Sequence, residues 1–265
     1  MKYFQPLCIL LFFLASISMV LGQNKEKILK GLTLTDIRDV ANPFSIEQNS
    51  YDANFDRIPY EWAVGMINAQ FVLGKKYPID YYTDTKDNLK VTVFPEITNL
   101  DEQKKSIVQA YQNFYDKRLA DSKWIDQALP PFALRDLSDE INYLAKYTGK
   151  VVVINFWYIK CGPCFVEIPA LNELVADYKK NKDVVFLAFS AQDTAAEIQD
   201  FLKENPFNYQ HIPEAAAYAG ELDIYAYPTH LIIDPNGKIR FMISGIVPTF
   251  ILKAKINEAL QSIQS

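Results

Sequence analysis

Three stretches of different hydrophobic pattern follow one another along the chain. The first is one apolar run, Leu7 to Leu21, with a single charge before it at Lys2. Gln23-Asn24-Lys25-Glu26 turns polar at once, and Val20-Leu21-Gly22 offers small or medium residues where a signal peptidase cuts. Residues 1–22 are therefore expected to be a secretory signal peptide. An uncleaved N-terminal anchor is the alternative, since a run of about 15 apolar residues is short for a membrane span. Gln23 stands where a lipoprotein signal would need Cys.

The second stretch, residues 23–125, has no Gly/Ser linker and no repeat. Its apolar positions predict a helix over Tyr60–Leu73, weakened by Gly65, and a strand over Leu89–Phe94. Asn99 followed by Glu102 predicts a capped helix to about Ala120, with Ile107, Tyr111, Phe114 and Tyr115 inward. Asp52, Asp56, Asp80, Asp84 and Asp87 show no metal-ligand spacing and read as solvated surface.

After Pro130-Pro131, short β-rich runs alternate with amphipathic ones. Val151–Trp157 (VVVINFW) is apolar throughout, as in a strand covered on both faces. A helix from Pro163 to about Lys180 follows, with Ile168, Leu171, Leu174, Val175 and Tyr178 on one side. Val184–Phe189 is a second buried strand, and Thr194 caps a helix ending near Asn205-Pro206. Thr229–Ile233 and Lys238–Ile243 flank Asp234-Pro235-Asn236-Gly237, a hairpin turn. Pro248 opens a last helix through Leu260. This order predicts an α/β fold, a mixed sheet with helices on both faces, in residues 126–265. Its first strand-helix-strand unit closes right-handed, with parallel strands. An additional α+β region precedes it.

Composition narrows the reading. With 49% hydrophobic residues, 17 Phe, 16 Tyr and 3 Trp in 265 residues, the chain is no disordered protein. Its 27 Lys and Arg against 32 Asp and Glu argue against nucleic acid as a partner. Three cysteines are too few for a disulfide scaffold. Cleavage of the leader would remove Cys8 and leave Cys161 and Cys164 as a close pair in an exported protein.

That pair, Cys161-Gly162-Pro163-Cys164, falls where a buried strand meets a helix. A two-residue spacer lets the two thiols meet with disulfide geometry. The helix N-terminus favours a thiolate at Cys161, and Pro163 suits a first turn that needs no N–H. Cys161 is then the exposed, attacking sulfur, and Cys164, one turn in, resolves the mixed disulfide. Zinc would need four ligands, and His211 and His230 are off the usual spacing. Haem attachment would need His where Phe165 stands. A structural disulfide closing so small a loop adds little stability. No metal and no cofactor is expected.

The segment VVVINFWYIKCGPC, then Glu167-Ile168-Pro169, Tyr227-Pro228-Thr229 and LIIDPNGKI, resembles the TlpA/ResA-like branch of the thioredoxin superfamily. These are extracytoplasmic thiol–disulfide oxidoreductases, and the resemblance covers about residues 126–265. It implies a thioredoxin-like mixed central sheet and a cis bond at Pro228, opposite the cysteines, leaving the Tyr227 backbone free to pair with an extended substrate. It also implies that Glu167 is an acid influencing proton transfer at the pair, against the plainer reading of a solvated helix charge. Asn155 stands where cytoplasmic thioredoxins have a buried Asp. Lys160 departs from the family's usual Trp: a cation there either lowers the Cys161 pKa or is simply solvated. Tyr158 can partly replace that aromatic, whereas Trp157 reads as core. His230 could approach the site, although a strand histidine is more often structural.

The expected activity is protein-disulfide reduction in the periplasm or cell envelope. Substrate contacts fall at Lys160, Gly162, Pro163, Tyr227 and Pro228, and an upstream membrane electron donor supplies electrons. One role the resemblance implies is reducing apocytochrome thiols before haem attachment. Two rivals are a thiol peroxidase on the same fold and a non-catalytic binding protein whose N-terminal region recruits a partner.

Overall fold

A computed structural model describes residues 24–35, 49–84, 86 and 89–261. The expected leader, with Cys8, and Asp87 lie outside the described residues. Two compact units make up the chain. The first comprises the described residues within 24–70 and 75–105, the second those within 71–74 and 106–261.

The first unit holds a five-stranded sheet. Its strands are β1 (Thr33–Thr35), β2 (Asn49–Asp52), β3 (Arg57–Ile58), β4 (Asp80–Thr83) and β5 (Leu89–Phe94), in the order β1-β4-β5-β2-β3. Only β2 and β5 run parallel. The helix α1 (Tyr60–Val72) and β5 fall where the pattern predicts them. Strands of two to four residues are too short to show a period, so β1 to β4 escape the sequence reading. Asp52 is a correction: it is 4% exposed, and its Oδ1 accepts from the N–H groups of Asn54 and Asp56 at 2.8 and 3.0 Å. Buried so, it shapes a turn rather than a solvated surface.

The next helix, α2 (Leu100–Ala120), starts as predicted, with Glu102 N–H donating to Asn99 Oδ1 at 3.1 Å. Its residues from Ser106 onward count with the second unit. Ile107, Tyr111, Tyr115 and Leu119 form its buried stripe. Phe114 is only half-buried; Leu119 takes its expected place because steps of four continue the line from Tyr111 and Tyr115.

The second unit is built on β8 (Val151–Trp157), β9 (Val184–Ser190), β10 (Gln210–Ile212), β11 (Thr229–Ile233) and β12 (Ile239–Ser244), after a small hairpin of β6 (Ala133–Arg135) and β7 (Ile141–Tyr143). The sheet order is β10-β9-β8-β11-β12. β8, β9 and β10 are parallel, and β11 and β12 are antiparallel to their neighbours, so the sheet is mixed as expected. All seven residues of β8 are buried. Val152, Ile154 and Phe156 pack on one face with Tyr218, Ala219 and Leu222, around the short α5 (Ala216–Glu221). The alternate positions, including Asn155, turn to the other face. There lie α3 (Gly162–Asp177) and α6 (Thr249–Gln261), joined where Tyr178 donates to Asn257 at 2.8 Å. Val175, expected inward on α3, is half-buried.

Between β9 and β10, α4 (Ala195–Glu204) opens on a complete capping box of Thr194 and Glu197. The β11–β12 turn closes through Asp234 N–H to Lys238 C=O at 2.8 Å, with Gly237 at φ +79° supplying the left-handed residue it needs. Among the described residues, no helix is long and apolar enough to cross a membrane.

Candidate active site

The apolar run of β8 ends at Trp157, and the chain then leaves the sheet. Ile159 N–H donates to Asp193 Oδ2 at 2.8 Å, and Ser190 Oγ donates to the same oxygen at 2.6 Å. Asp193 thus ties the loop after β8 to the end of β9. Nothing in the local pattern pointed to it, because its partners belong to two different strand ends.

The loop delivers Cys161 as the N-cap of α3. Cys161 and Cys164 are joined, with their Cα atoms 5.2 Å apart. Cys161 Sγ accepts from the Cys164 N–H at 3.2 Å. An orphan donor of the first helical turn therefore points at the first sulfur, the contact that favours a thiolate when the pair is reduced. The expected difference in exposure is not found: both cysteines are 2% exposed. The bond to Cys164 and that N–H turn the Cys161 sulfur inward in this oxidised form. Gly162, Pro163 and Lys160 are exposed instead, and a Cβ at Gly162 would meet nothing within 4 Å.

Pro228 follows Tyr227 in a cis peptide bond. The ladders of β11 begin at Thr229, so the Tyr227 backbone lies outside them. Tyr158 meets the Tyr227 ring edge-on at 5.5 Å, which brings the loop before Cys161 onto the loop before Pro228.

Lys160 lines a cleft of about 460 Å³ with Ile159, Asp193, Glu197 and Phe201. Glu197 is held below its ordinary pKa by hydrogen bonds from the backbone and side chain of Thr194, with a smaller contribution from Lys160. Lys160 is itself exposed, and its charge is felt at the acidic start of α4.

Glu167 is no solvated helix charge. It is 3% exposed, with Oε1 accepting from Asn155 Nδ2 at 2.7 Å and Oε2 lying 3.0 Å from His230 Nε2. His230 is fully buried and sits opposite Asn155 in the β8–β11 ladder. Directly paired residues project on one face, so the register presents both side chains to α3 together. His230 therefore belongs to the site's surroundings, the less expected of its two readings. Its signal was parity: on paired strands it shares a face with Asn155. His211 lies elsewhere, edge-on to Trp157 and Phe207, its pKa lowered by burial against an opposing bond to the Phe207 carbonyl.

A family model described as the AhpC/TSA family matches residues 125–242. The thiol-disulfide oxidoreductase ResA of Bacillus cereus is 32% identical over 139 residues, covering 51% of this chain and 77% of that protein. ResA of Geobacillus kaustophilus is 29% identical over 155 residues, covering 58% of this chain and 85% of its own length. Among solved structures, a thiol:disulfide interchange protein of Chlorobium tepidum is similar at a TM-score of 0.45 and 20% identity, over 53% of this chain and 99% of that one. With a cysteine pair opening a helix beside a mixed α/β sheet, and this identity over more than two thirds of a curated relative, the chain belongs to the TlpA/ResA-like thiol–disulfide oxidoreductases of the thioredoxin superfamily.

Proposed function

We propose that the protein is an exported protein-disulfide reductase. Cys161 is the attacking sulfur and Cys164 the resolving one. The observation that carries this reading is the Cys161–Cys164 pair at the start of α3, with the Cys164 N–H aimed at Cys161 Sγ. In the reduced protein the Cys161 thiolate attacks a substrate disulfide. One substrate sulfur leaves as thiolate, and a Cys161–substrate disulfide forms. Cys164 loses its proton and attacks Cys161 Sγ; the mixed disulfide breaks, and the second substrate sulfur leaves. Two electrons pass to the substrate, which takes up two protons, and the protein ends as the disulfide seen here.

Lys160, Gly162 and Pro163, exposed around the pair, and Tyr227 with Pro228 form the substrate-contact surface. Regeneration needs an electron donor on the membrane, and residues 1–22 are the leader that takes the chain to the periplasm or envelope. Reduction of apocytochrome thiols before haem attachment is the role to test first. Residues 126–265 carry the chemistry, and 23–125 are an accessory region whose residues from Ser106 onward belong to the same compact unit as the cysteine pair.

The direction rests on the Gly-Pro spacer, the thioredoxin dipeptide, and is tested by the reduction potential of the pair. A value near thioredoxin's, about −270 mV, supports a reductase. A value near that of DsbA, about −120 mV, makes the protein an oxidant and overturns the direction.

A further inference from the structure

Written with sulfur alone, the exchange reaction leaves a buried histidine and a buried carboxylate unused. Glu167 of α3, Asn155 of β8 and His230 of β11 converge on one spot, three elements each contributing one polar side chain. Glu167 lies one helical turn beyond Cys164 on the buried side of α3. Two phenols also feel it. Tyr115 of α2 has its pKa raised by burial first, with the Glu167 charge adding and Arg118 opposing. Tyr209, just ahead of β10, is raised by burial and then by Glu167.

The cluster is also unfinished. His230 Nδ1, Asn155 Oδ1 and the Tyr209 hydroxyl are buried without a hydrogen-bond partner. A redox or catalytic role is one of the reasons a buried polar group is left without a partner.

We propose that His230 is a positioning residue of the exchange reaction, holding Glu167 so that the two act as one proton-carrying unit for Cys164. The proposal rests on the exchange reaction proposed above. In the resolving step the Cys164 S–H bond breaks and its proton passes to the Glu167–His230 unit. The Cys164 thiolate forms the bond to Cys161 Sγ, the Cys161–substrate bond breaks, and the leaving thiolate takes up a proton in turn. The attacking step at Cys161 does not need this unit.

The test uses the full chain with Cys8→Ser, reduced and then mixed with dithiobis-nitrobenzoate at varied pH. That reagent is the oxidant: the first nitrothiobenzoate released reports attack by Cys161, and the second reports resolution by Cys164. His230→Gln keeps an N–H donor for Glu167 but cannot hold the extra proton. A buried carboxylate that loses a cationic neighbour keeps its proton to higher pH. In His230→Gln the inflection of the second phase is therefore expected to move up by about one pH unit or more. Glu167→Gln removes the inflection, and the first phase stays within about threefold in both variants. Second-phase profiles that superimpose on wild type overturn the proposal. So does a loss equal in both phases at every pH, which marks a structural role only. Should His230→Gln not fold by circular dichroism, His230→Asn and Glu167→Gln are judged by the same profiles. Absence of both phases in the wild-type chain fails the exchange reaction itself, a distinct outcome.

Discussion

Two of the buried carboxylates of the second unit, Asp136 and Glu167, have surroundings that differ in kind. Asp136, 8% exposed, has every lone-pair direction filled. Its Oδ1 accepts from the N–H groups of Ser138 and Glu140 at 2.8 and 3.1 Å. Its Oδ2 accepts from Asn142 Nδ2 and Gln210 Nε2, each at 2.8 Å. The amides are used up in turn, since Asn142 Oδ1 accepts from Tyr147 at 2.7 Å and Lys146 at 3.0 Å. Glu167 has two bonds and a ring of neighbours left open. Asp136 thus ties the β6–β7 hairpin to β10, fixing a piece of fold. The Glu167 cluster accepts the cost of buried polar atoms without partners, one turn from a disulfide that opens and closes. Closed networks rigidify a structure.

The contrast is sharpened most by removing the sulfurs that the open cluster serves. Cys161→Ser is expected to lower disulfide exchange at least about a thousandfold, since nothing else supplies the attacking atom. Cys164→Ser should keep the first attack and stop at the mixed disulfide, which intact-mass measurement would count. A Cys161→Ser protein that still reduces a protein disulfide sinks the assignment. The same protein tests the peroxidase rival: wild type is expected to consume hydroperoxide no faster than free thiol does.

Next in size is a stability difference between the two carboxylates. Asp136→Ala strands the buried Asn142 amide and the half-buried Gln210 amide and is expected to cost about 2–4 kcal/mol in urea unfolding of the oxidised protein, with the reduction potential unchanged. Glu167→Gln keeps the shape and an acceptor for Asn155, and should cost about 1 kcal/mol or less. Equal losses would mean that both clusters are structural, and the distinction drawn between them would fall.

This contrast was only partly legible in the sequence. The strands and helices that carry the cysteines were readable, because VVVINFW, the Thr194–Glu197 box and Asp234–Gly237 are local signals of period, cap and turn. The cysteine spacing was equally local. The partners of Glu167 were not, because His230 lies 63 residues away and meets it only through the antiparallel register of β11 on β8. The Asp136 network was hidden in the same way, its Gln210 bond spanning 74 residues. α5 was missed because six residues of Ala, Tyr, Gly and Glu carry no cap and no stripe. Cys161 was expected to be exposed because helix position tells which sulfur attacks, not how a closed disulfide sits.

Acid should separate the two carboxylates by a smaller margin. Burial pushes the Asp136 carboxyl up, but the bonds from Asn142, Gln210, Ser138 and Glu140 outweigh it, and its pKa is lowered overall. A depressed folded value means that the stabilisation is present above the unfolded Asp pKa, about 3.9. It is lost as pH falls through the folded value. The stability gap between wild type and Asp136→Asn should therefore be widest near neutrality and narrow on acidification below about pH 4. A gap that stays constant with pH shows that the carboxylate's charge contributes nothing there.

The smallest effect is expected on the exposed rim of the open site. Gly162 is the first residue of α3, its φ lies outside the left-handed region, and a Cβ there would touch nothing within 4 Å. Alanine restricts the unfolded chain more than glycine and suits a helix better. Gly162→Ala should therefore raise stability by about 0.4–1 kcal/mol, read as a small upward shift in the melting temperature of the oxidised form. The closed disulfide and the Cys164 N–H should be undisturbed, because neither needs glycine's freedom at this position. A loss of stability would show that the spacer is under a backbone constraint that its open surroundings hide, and the rim would then join the closed part of the molecule.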